Sequence, residues 1–369
     1  MRSKQTVQKL LEDTDIELNG DNPWDPQIED ERFYKRVLRE GSLGLGESYM
    51  DGWWNVDQLD VFVTKILNID LERKVKSWKI LPYVLAARVF NYGKKSKAKE
   101  VGEVHYDKGN DLYEAMLDER MVYTAGYWRD ADNLKQAQED KLELVCEKVG
   151  LEEGNRILDI GCGWGSFAKY AAEEYGVEVV GITVSEEQEK LARERCEGLP
   201  VDIRLQDYRD LNEKFDHIIS LGMFEHVGYK NYRTYMEKVA ECLKGDGLFL
   251  LDVIGNDRTV HRNDPWIDKY IFPNSMLPSV KQVGAAIDDL LIMEDWHNFG
   301  VDYDKTLMAW YDNFTDHWSE LEDNYSDRFY RMWEFYLLSC AGTFRSRKNQ
   351  QWQIVLSKGG VEGGYRRIS

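Results

Sequence analysis

The chain holds 369 residues, 43% of them hydrophobic and 31% charged, which is enough apolar material for a sizeable core and suggests roughly two domains. Asp and Glu outnumber Lys and Arg by 67 to 48, a formal net charge of −19, and that excess of anions argues against binding along a nucleic-acid backbone, where cationic surface supplies the affinity. The opening residues lead into no continuous apolar stretch of the kind a secretory signal carries, and no apolar run approaches the ~20 residues needed to span a bilayer.

Residues 1–100 read as a small, mainly helical first domain, associated with lipid or membrane, ahead of a second domain over residues 101–369. Within the first, the glycine-rich stretch 41–54 is out of register with a dinucleotide fingerprint and is expected to form turns. Residues 71–99 carry nine Lys and Arg against the single acid Glu72, around an apolar run at 80–89. Two readings stand open for this segment: attachment to an anionic membrane surface, or a helix docked on the protein's own acidic face.

From about Leu142 helix and strand alternate. A helix runs to Val149, strands are predicted at 156–160, 178–183, 202–205, 217–220 and 248–254, and a helix opens at Ser166. Such spacing predicts an α/β fold with a mostly parallel, doubly wound, Rossmann-like sheet that binds its ligand at the carboxyl ends of the strands. Beyond Asp264 an aromatic-rich region precedes a long helical pattern at 307–344 and a closing strand at 352–356. The five cysteines, Cys146, Cys162, Cys196, Cys242 and Cys340, are scattered without a C-x-x-C pair, so no metal site is expected and the predicted compartment is the reducing cytoplasm.

The stretch 157–165 reads I-L-D-I-G-C-G-W-G, a buried strand entering a glycine turn that opens a helix. Asp159, Gly161, Gly163 and Gly165 are candidate ligands here, because glycine lets the backbone approach a bound molecule without a Cβ clash. Thr183 and Gln188 follow the second strand, and Gln206, Asp207 and Tyr208 follow the third. In class I methyltransferases these three stretches meet the amino-acid portion, the ribose and the adenine of S-adenosylmethionine. A nicotinamide site calls instead for G-x-G-x-x-G and an acid ending the second strand, where Thr183 and Val184 stand.

Further motifs carry a resemblance: R-V-L-R-E-G-S-L-G-L-G-E-S-Y-M-D-G-W-W at 36–54, H-Y-D-K-G-N-D-L-Y at 105–113, G-M-F-E-H-V-G at 222–228, D-P-W-I-D-K-Y-I-F-P-N at 264–274, E-D-W-H-N-F-G-x-D-Y at 294–303 and C-A-G-T-F-R-S-R at 340–347. With the glycine loop, they make the chain resemble the bacterial cyclopropane-fatty-acyl-phospholipid synthases over nearly its whole length, and the mycolic acid cyclopropane synthases over the second domain. The resemblance implies methylation of the cis double bond of acyl chains in membrane phospholipids, by a homodimer peripherally attached to the inner face of the membrane. It adds Tyr106, Tyr123 and Thr124 to the expected cofactor residues; His105 and Asp107 flank Tyr106.

The chemistry so implied accounts for the residue types. An alkene is a weak nucleophile, so the sulfonium methyl must be held close and in line. Aromatic faces stabilise the resulting cationic chain by about 0.5 to about 2 kcal/mol per contact, and Tyr123, Tyr270 and Tyr311 lie in matched motifs. Ring closure needs a base, a role the family assigns to bicarbonate held by groups that match Glu225, Tyr311 and the backbone of Ile254. The chain departs from the family at Ala125, in place of a cysteine, and at Asp252, in place of a histidine.

A carboxylate beside Glu225 repels an anion unless one of the two is protonated. Three outcomes are therefore open: the pair shares a proton and still holds bicarbonate, Asp252 is itself the base, or ring closure fails and the product is methyl- or methylene-branched. Cys340 matches a cysteine sometimes taken as catalytic in the family, although packing explains a lone cysteine in an apolar helix. His226, next to Glu225, either orients it or is a core histidine.

Overall fold

The computed structural model describes residues 2–12, 14–69 and 109–368. The basic segment at 71–99, the triplet His105, Tyr106 and Asp107, and the expected domain boundary near residue 100 lie outside the described residues.

Apolar runs at R-I-L-D-I and E-V-V-G-I-T form β3 (Arg156–Ile160) and β4 (Glu178–Thr183), buried almost end to end as strands covered on both faces must be. They belong to a seven-stranded sheet completed by β5 (Val201–Leu205), β6 (His217–Leu221), β7 (Leu248–Asn256), β8 (Ile292–Asn298) and β9 (Asn349–Ser357). Its order is β5-β4-β3-β6-β7-β9-β8, parallel from β5 through β7, with β9 antiparallel to both β7 and β8. The order reverses at β3, between β4 and β6, and the crevice outside the strand ends at such a switch is where these sheets take ligands. The predicted α/β doubly wound class is the observed one.

The helix Leu134–Val149 packs across this sheet. Asn133 caps it by accepting from the Gln136 N–H, and Gly150 ends it in the left-handed region at φ 64°. Its sheet-facing side carries two lysines, Lys141 and Lys148, both buried.

The N-terminal residues form helices Arg2–Leu11, Arg32–Glu40, Ser42–Met50 and Leu59–Asn68 with a two-stranded ribbon of β1 (Gln27–Ile28) and β2 (Trp54–Asn55). Phe33, Trp54 and Phe62 share one apolar core with Tyr113, Trp310, Trp333 and Phe335 from later helices. The glycines of 41–54 predict turns, but residues 42–50 are helical. Gly44 and Gly46 are small because of what touches them: a Cβ on Gly44 would stand 2.7 Å from the Arg36 carbonyl oxygen, and one on Gly46 would enter the Trp266 indole.

The single helix expected at 307–344 is three, Gly300–Asp316, Trp318–Leu321 and Asp327–Arg345, the last restarted by Ser326, which accepts from the Phe329 N–H. No sequence pattern predicts strand β8; its half-exposed residues alternate poorly at the edge of the sheet. Among the described residues no helix is long and apolar enough to cross a membrane.

Candidate active site

A cavity opens over the carboxyl ends of β3 to β6. Its floor is the turn after β3, where the N–H groups of Gly161 and Cys162 both donate to the Ile182 carbonyl at 2.9 and 3.0 Å, tying the loop to β4. Gly161 takes φ 83° and Gly163 φ 55°, and a Cβ on Gly161 would lie 2.7 Å from Met223 Cβ. Gly165, at φ 78°, does not line the cavity. It opens the helix Ser166–Tyr175, and a Cβ there would meet Cys196 Sγ at 3.1 Å, so its expected ligand role becomes one of turn and packing.

The other walls come from the ends of β4 and β5. Thr183 Oγ1 donates to Gln188 Oε1 at 2.9 Å, while Ser185 caps the following helix and fixes Gln188 in its first turn. The Gln206 N–H donates to the Thr183 carbonyl at 2.9 Å, bringing Gln206, Asp207 and Tyr208 onto the rim. The Asp207 carboxylate holds the Arg209 guanidinium, and the Tyr208 ring stands 5.0 Å from Tyr235. Opposite lie Tyr123 and Thr124: the Tyr123 hydroxyl shares a hydrogen bond with Tyr336 at 2.9 Å, and its ring lies 5.2 Å from Trp310. Ten of the expected cofactor residues thus line one cavity: Tyr123, Thr124, Asp159, Gly161, Gly163, Thr183, Gln188, Gln206, Asp207 and Tyr208.

Asp159, 1% exposed, has an Oδ2 with no hydrogen-bond partner among the described residues, and burial lifts its carboxyl to about 7 against the pull of Lys141. His226 also lines the cavity, its imidazole driven down to about 4 by burial and so neutral at physiological pH.

The expected catalytic set divides. Glu225, 4% exposed on the turn after β6, accepts from the Ile254 N–H at 2.7 Å through Oε1, so these two are brought together. Its Oε2 has no hydrogen-bond partner among the described residues, and burial raises its carboxyl to about 8, with Asp252 adding a smaller push. Tyr311 is elsewhere: its hydroxyl donates to Glu334 Oε1 at 3.0 Å, and Tyr49 donates to the other oxygen at 2.6 Å. Tyr270 donates to Glu47 at 2.7 Å, facing the N-terminal helices. Cys340 is partly buried and burial pushes its thiol to about 12, leaving it protonated.

Asp252 lies inside the sheet, off the cavity wall. Gln351 and Gln353 of β9 donate to its two oxygens at 2.5 and 3.0 Å, and Lys141 and Lys148 supply positive charge nearby. Both Asp252 oxygens are thus engaged by β9, while its charge still raises the Glu225 carboxyl slightly. Removing one member of such a network leaves the others buried and uncompensated. Asp252→Ala is expected to cost about 3–5 kcal/mol of stability in chemical denaturation, and the folded fraction to keep the product of the unsubstituted protein.

The strand order, the glycine loop after β3 and the cavity above it define a class I methyltransferase. S-adenosylmethionine fits these residues: Asp159 keeps a carboxylate oxygen that has no partner among the described residues, open to a cationic ligand, and Gly161 leaves the loop free of a side chain. The family described as mycolic acid cyclopropane synthetase matches residues 93–354, and the chain belongs to that family. It is 55% identical over 359 residues to the cyclopropane-fatty-acyl-phospholipid synthase of Escherichia coli strain K12, covering 97% of this chain and 94% of that one. Among solved structures it is similar to the cyclopropane synthase MmaA2 from Mycobacterium tuberculosis, with TM-score 0.67 and 27% identity over 70% of this chain and 98% of that one. A structure of the mycolic acid cyclopropane synthase CmaA1 complexed with SAH and CTAB matches with TM-score 0.66 and 28% identity, over 70% of this chain and 98% of that one.

Proposed function

We propose that this enzyme transfers a methylene unit from S-adenosylmethionine to the cis double bond of unsaturated acyl chains in membrane phospholipids, closing a cyclopropane ring. The observation that carries the reading is Glu225: a buried carboxyl on the turn beside the methyl-donor cavity, fixed through one oxygen and without a partner at the other among the described residues.

S-adenosylmethionine supplies an electrophilic methyl on a sulfonium. The chain's own residues bind and orient that ligand. Asp159 offers its oxygen to the cationic ligand, the glycine loop admits it closely, and Tyr123 and Trp164 present aromatic faces along the cavity. Each such face in contact with a cationic centre contributes about 0.5 to about 2 kcal/mol.

Bicarbonate, which would supply the base for ring closure, suits Glu225 in its protonated form. With its carboxyl raised to about 8, Glu225 holds a proton at neutral pH, and a protonated Oε2 donates a hydrogen bond to an anion where a carboxylate would repel it. The branched-product alternative rests on Asp252, whose carboxylate is occupied by Gln351 and Gln353. Peripheral attachment at the cytoplasmic membrane face and a lipid-associating unit over residues 1–100 ahead of 101–369 complete the proposal, supported by the basic segment at 71–99 and by the phospholipid named for the Escherichia coli relative; a homodimer is proposed on the family resemblance alone.

Expression in a bacterial host whose lipids lack cyclopropane rings tests the reading by proton NMR of extracted fatty acids. The expected result is the high-field ring methylene signal. An exocyclic methylene signal, or unaltered olefins, overturns it.

A further inference from the structure

We propose that Lys141 is a positioning residue of the cofactor cavity: its buried ammonium holds the Thr124 hydroxyl on the cavity wall and supplies the counter-charge for Asp159. The inference rests on the reading of this cavity as the S-adenosylmethionine site, and nothing in the sequence motifs points to this residue.

Lys141 is 0% exposed, on the sheet-facing side of the helix Leu134–Val149. A lysine is almost never fully buried without charged or polar partners. Its Nζ donates to Thr124 Oγ1 at 2.9 Å, and three residues earlier on the same face Gln138 Nε2 donates to the Thr124 carbonyl at 2.8 Å. One helix therefore grips Thr124 by both its oxygens. The Thr124 methyl closes against Gly222, where a Cβ would stand 2.9 Å from Cγ2. Three of these residues, Lys141, Thr124 and Gly222, line the cavity.

The charges facing Lys141 come from every side: Asp118 in the loop after the helix Asn110–Met116, Asp159 at the end of β3, Asp252 on β7, and the Cys146 thiol on its own helix. Two of the three acids are otherwise satisfied. Asp118 accepts from the N–H groups of Arg120 and Val122 at 3.0 and 2.9 Å, and Asp252 is held by Gln351 and Gln353. Of the three, Asp159 alone keeps an oxygen without a hydrogen-bond partner among the described residues, and it alone lines the cavity. Burial pulls the Lys141 ammonium down to about 8 and pushes the Asp159 carboxyl up to about 7, and Lys141 is the charge that holds Asp159 from rising further. Without the cation Asp159 takes up a proton at neutral pH, and a cationic ligand loses the charge that receives it.

Calorimetric titration with S-adenosylhomocysteine across pH 6 to 9 tests this without turnover, the range being set at roughly one unit beyond each group. In the unsubstituted protein affinity is expected to rise with pH through about 7, as Asp159 ionises. In Lys141→Met the midpoint is expected to move up by about one unit or more, so that affinity at pH 7 falls about fivefold or more and recovers in alkali. Lys148→Met is the control, since Lys148 is equally buried in the same network but absent from the cavity wall; it is expected to lose stability and keep the midpoint. An unmoved midpoint in Lys141→Met, or an equal shift in Lys148→Met, overturns the proposal. Should Lys141→Met fail to fold, Lys141→Gln carries the same test: a raised midpoint supports the role, and an unmoved one overturns it. Failure of the unsubstituted protein to bind S-adenosylhomocysteine at any pH is a separate result, which removes the cofactor reading itself.

Discussion

Gly161→Ala is expected to lose about a hundredfold in affinity for S-adenosylhomocysteine while the sheet stays folded. At φ 83° an alanine is strained by about 1–2 kcal/mol, and its methyl would lie 2.7 Å from both Cβ and Cγ of Met223. Overpacking of this kind costs about 1–3 kcal/mol. The loop cannot relieve the clash by rising, because the Gly161 and Cys162 N–H groups share the Ile182 carbonyl, so the strain is released by displacing the cavity floor. At about 1.4 kcal/mol per tenfold, a loss near a hundredfold accounts for most of that strain. Calorimetry measures the affinity, and circular dichroism the fold; wild-type affinity in a folded variant sinks the assignment of this loop.

Glu225→Ala is expected to slow ring formation by about 10²- to 10⁴-fold, the range for loss of a positioned base, here the anion that Glu225 would hold, with S-adenosylhomocysteine affinity unchanged. Glu225→Gln is the milder change, because a carboxamide still accepts from the Ile254 N–H and still offers a neutral donor where Oε2 stands. In the unsubstituted enzyme turnover is expected to fall as pH rises through about 8, where this carboxyl loses its proton. The stability contributed by the raised carboxyl is fully present below the ordinary carboxyl value of about 4.5 and is lost as pH rises towards 8, because the folded state holds a proton that the unfolded chain releases. The Gln variant flattens both limbs. Rates assayed against vesicles of unsaturated phospholipid from pH 6 to 9, a window of roughly two units around the carboxyl, settle the matter; a Gln variant that keeps the alkaline fall removes Glu225 from the mechanism.

The sheet was legible because β3 and β4 are covered on both faces, and such strands read as unbroken apolar runs. The glycine loop was legible because the left-handed conformations it needs restrict the residue type. Gly44 and Gly46 misled for the complementary reason: glycine marks close approach as well as turns, and only the fold reveals the Arg36 carbonyl and Trp266 against them. Motif matching located Asp252 and Tyr311 in the chain without their directions. Asp252 on β7 is held by two glutamines of the neighbouring strand β9, and Tyr311 by Glu334, partners about a hundred and about twenty residues away. Lys141 leaves only a faint trace in the pattern, a lysine at helical spacing from Gln138, Val145 and Lys148 on the buried side of its helix.

Among the described residues, strand β9 is the last in the sequence, yet it lies between β7 and β8 and is the only strand β8 pairs with. During synthesis on the ribosome, then, β7 waits with a bare edge and β8 with no neighbour until residues 349–357 have left the exit tunnel. For the roughly one hundred residues of synthesis that separate β7 from β9, the nascent polypeptide must keep unpaired N–H and C=O groups on strand edges from other chains, and a stop codon only some twenty positions early would release it in that unfinished condition.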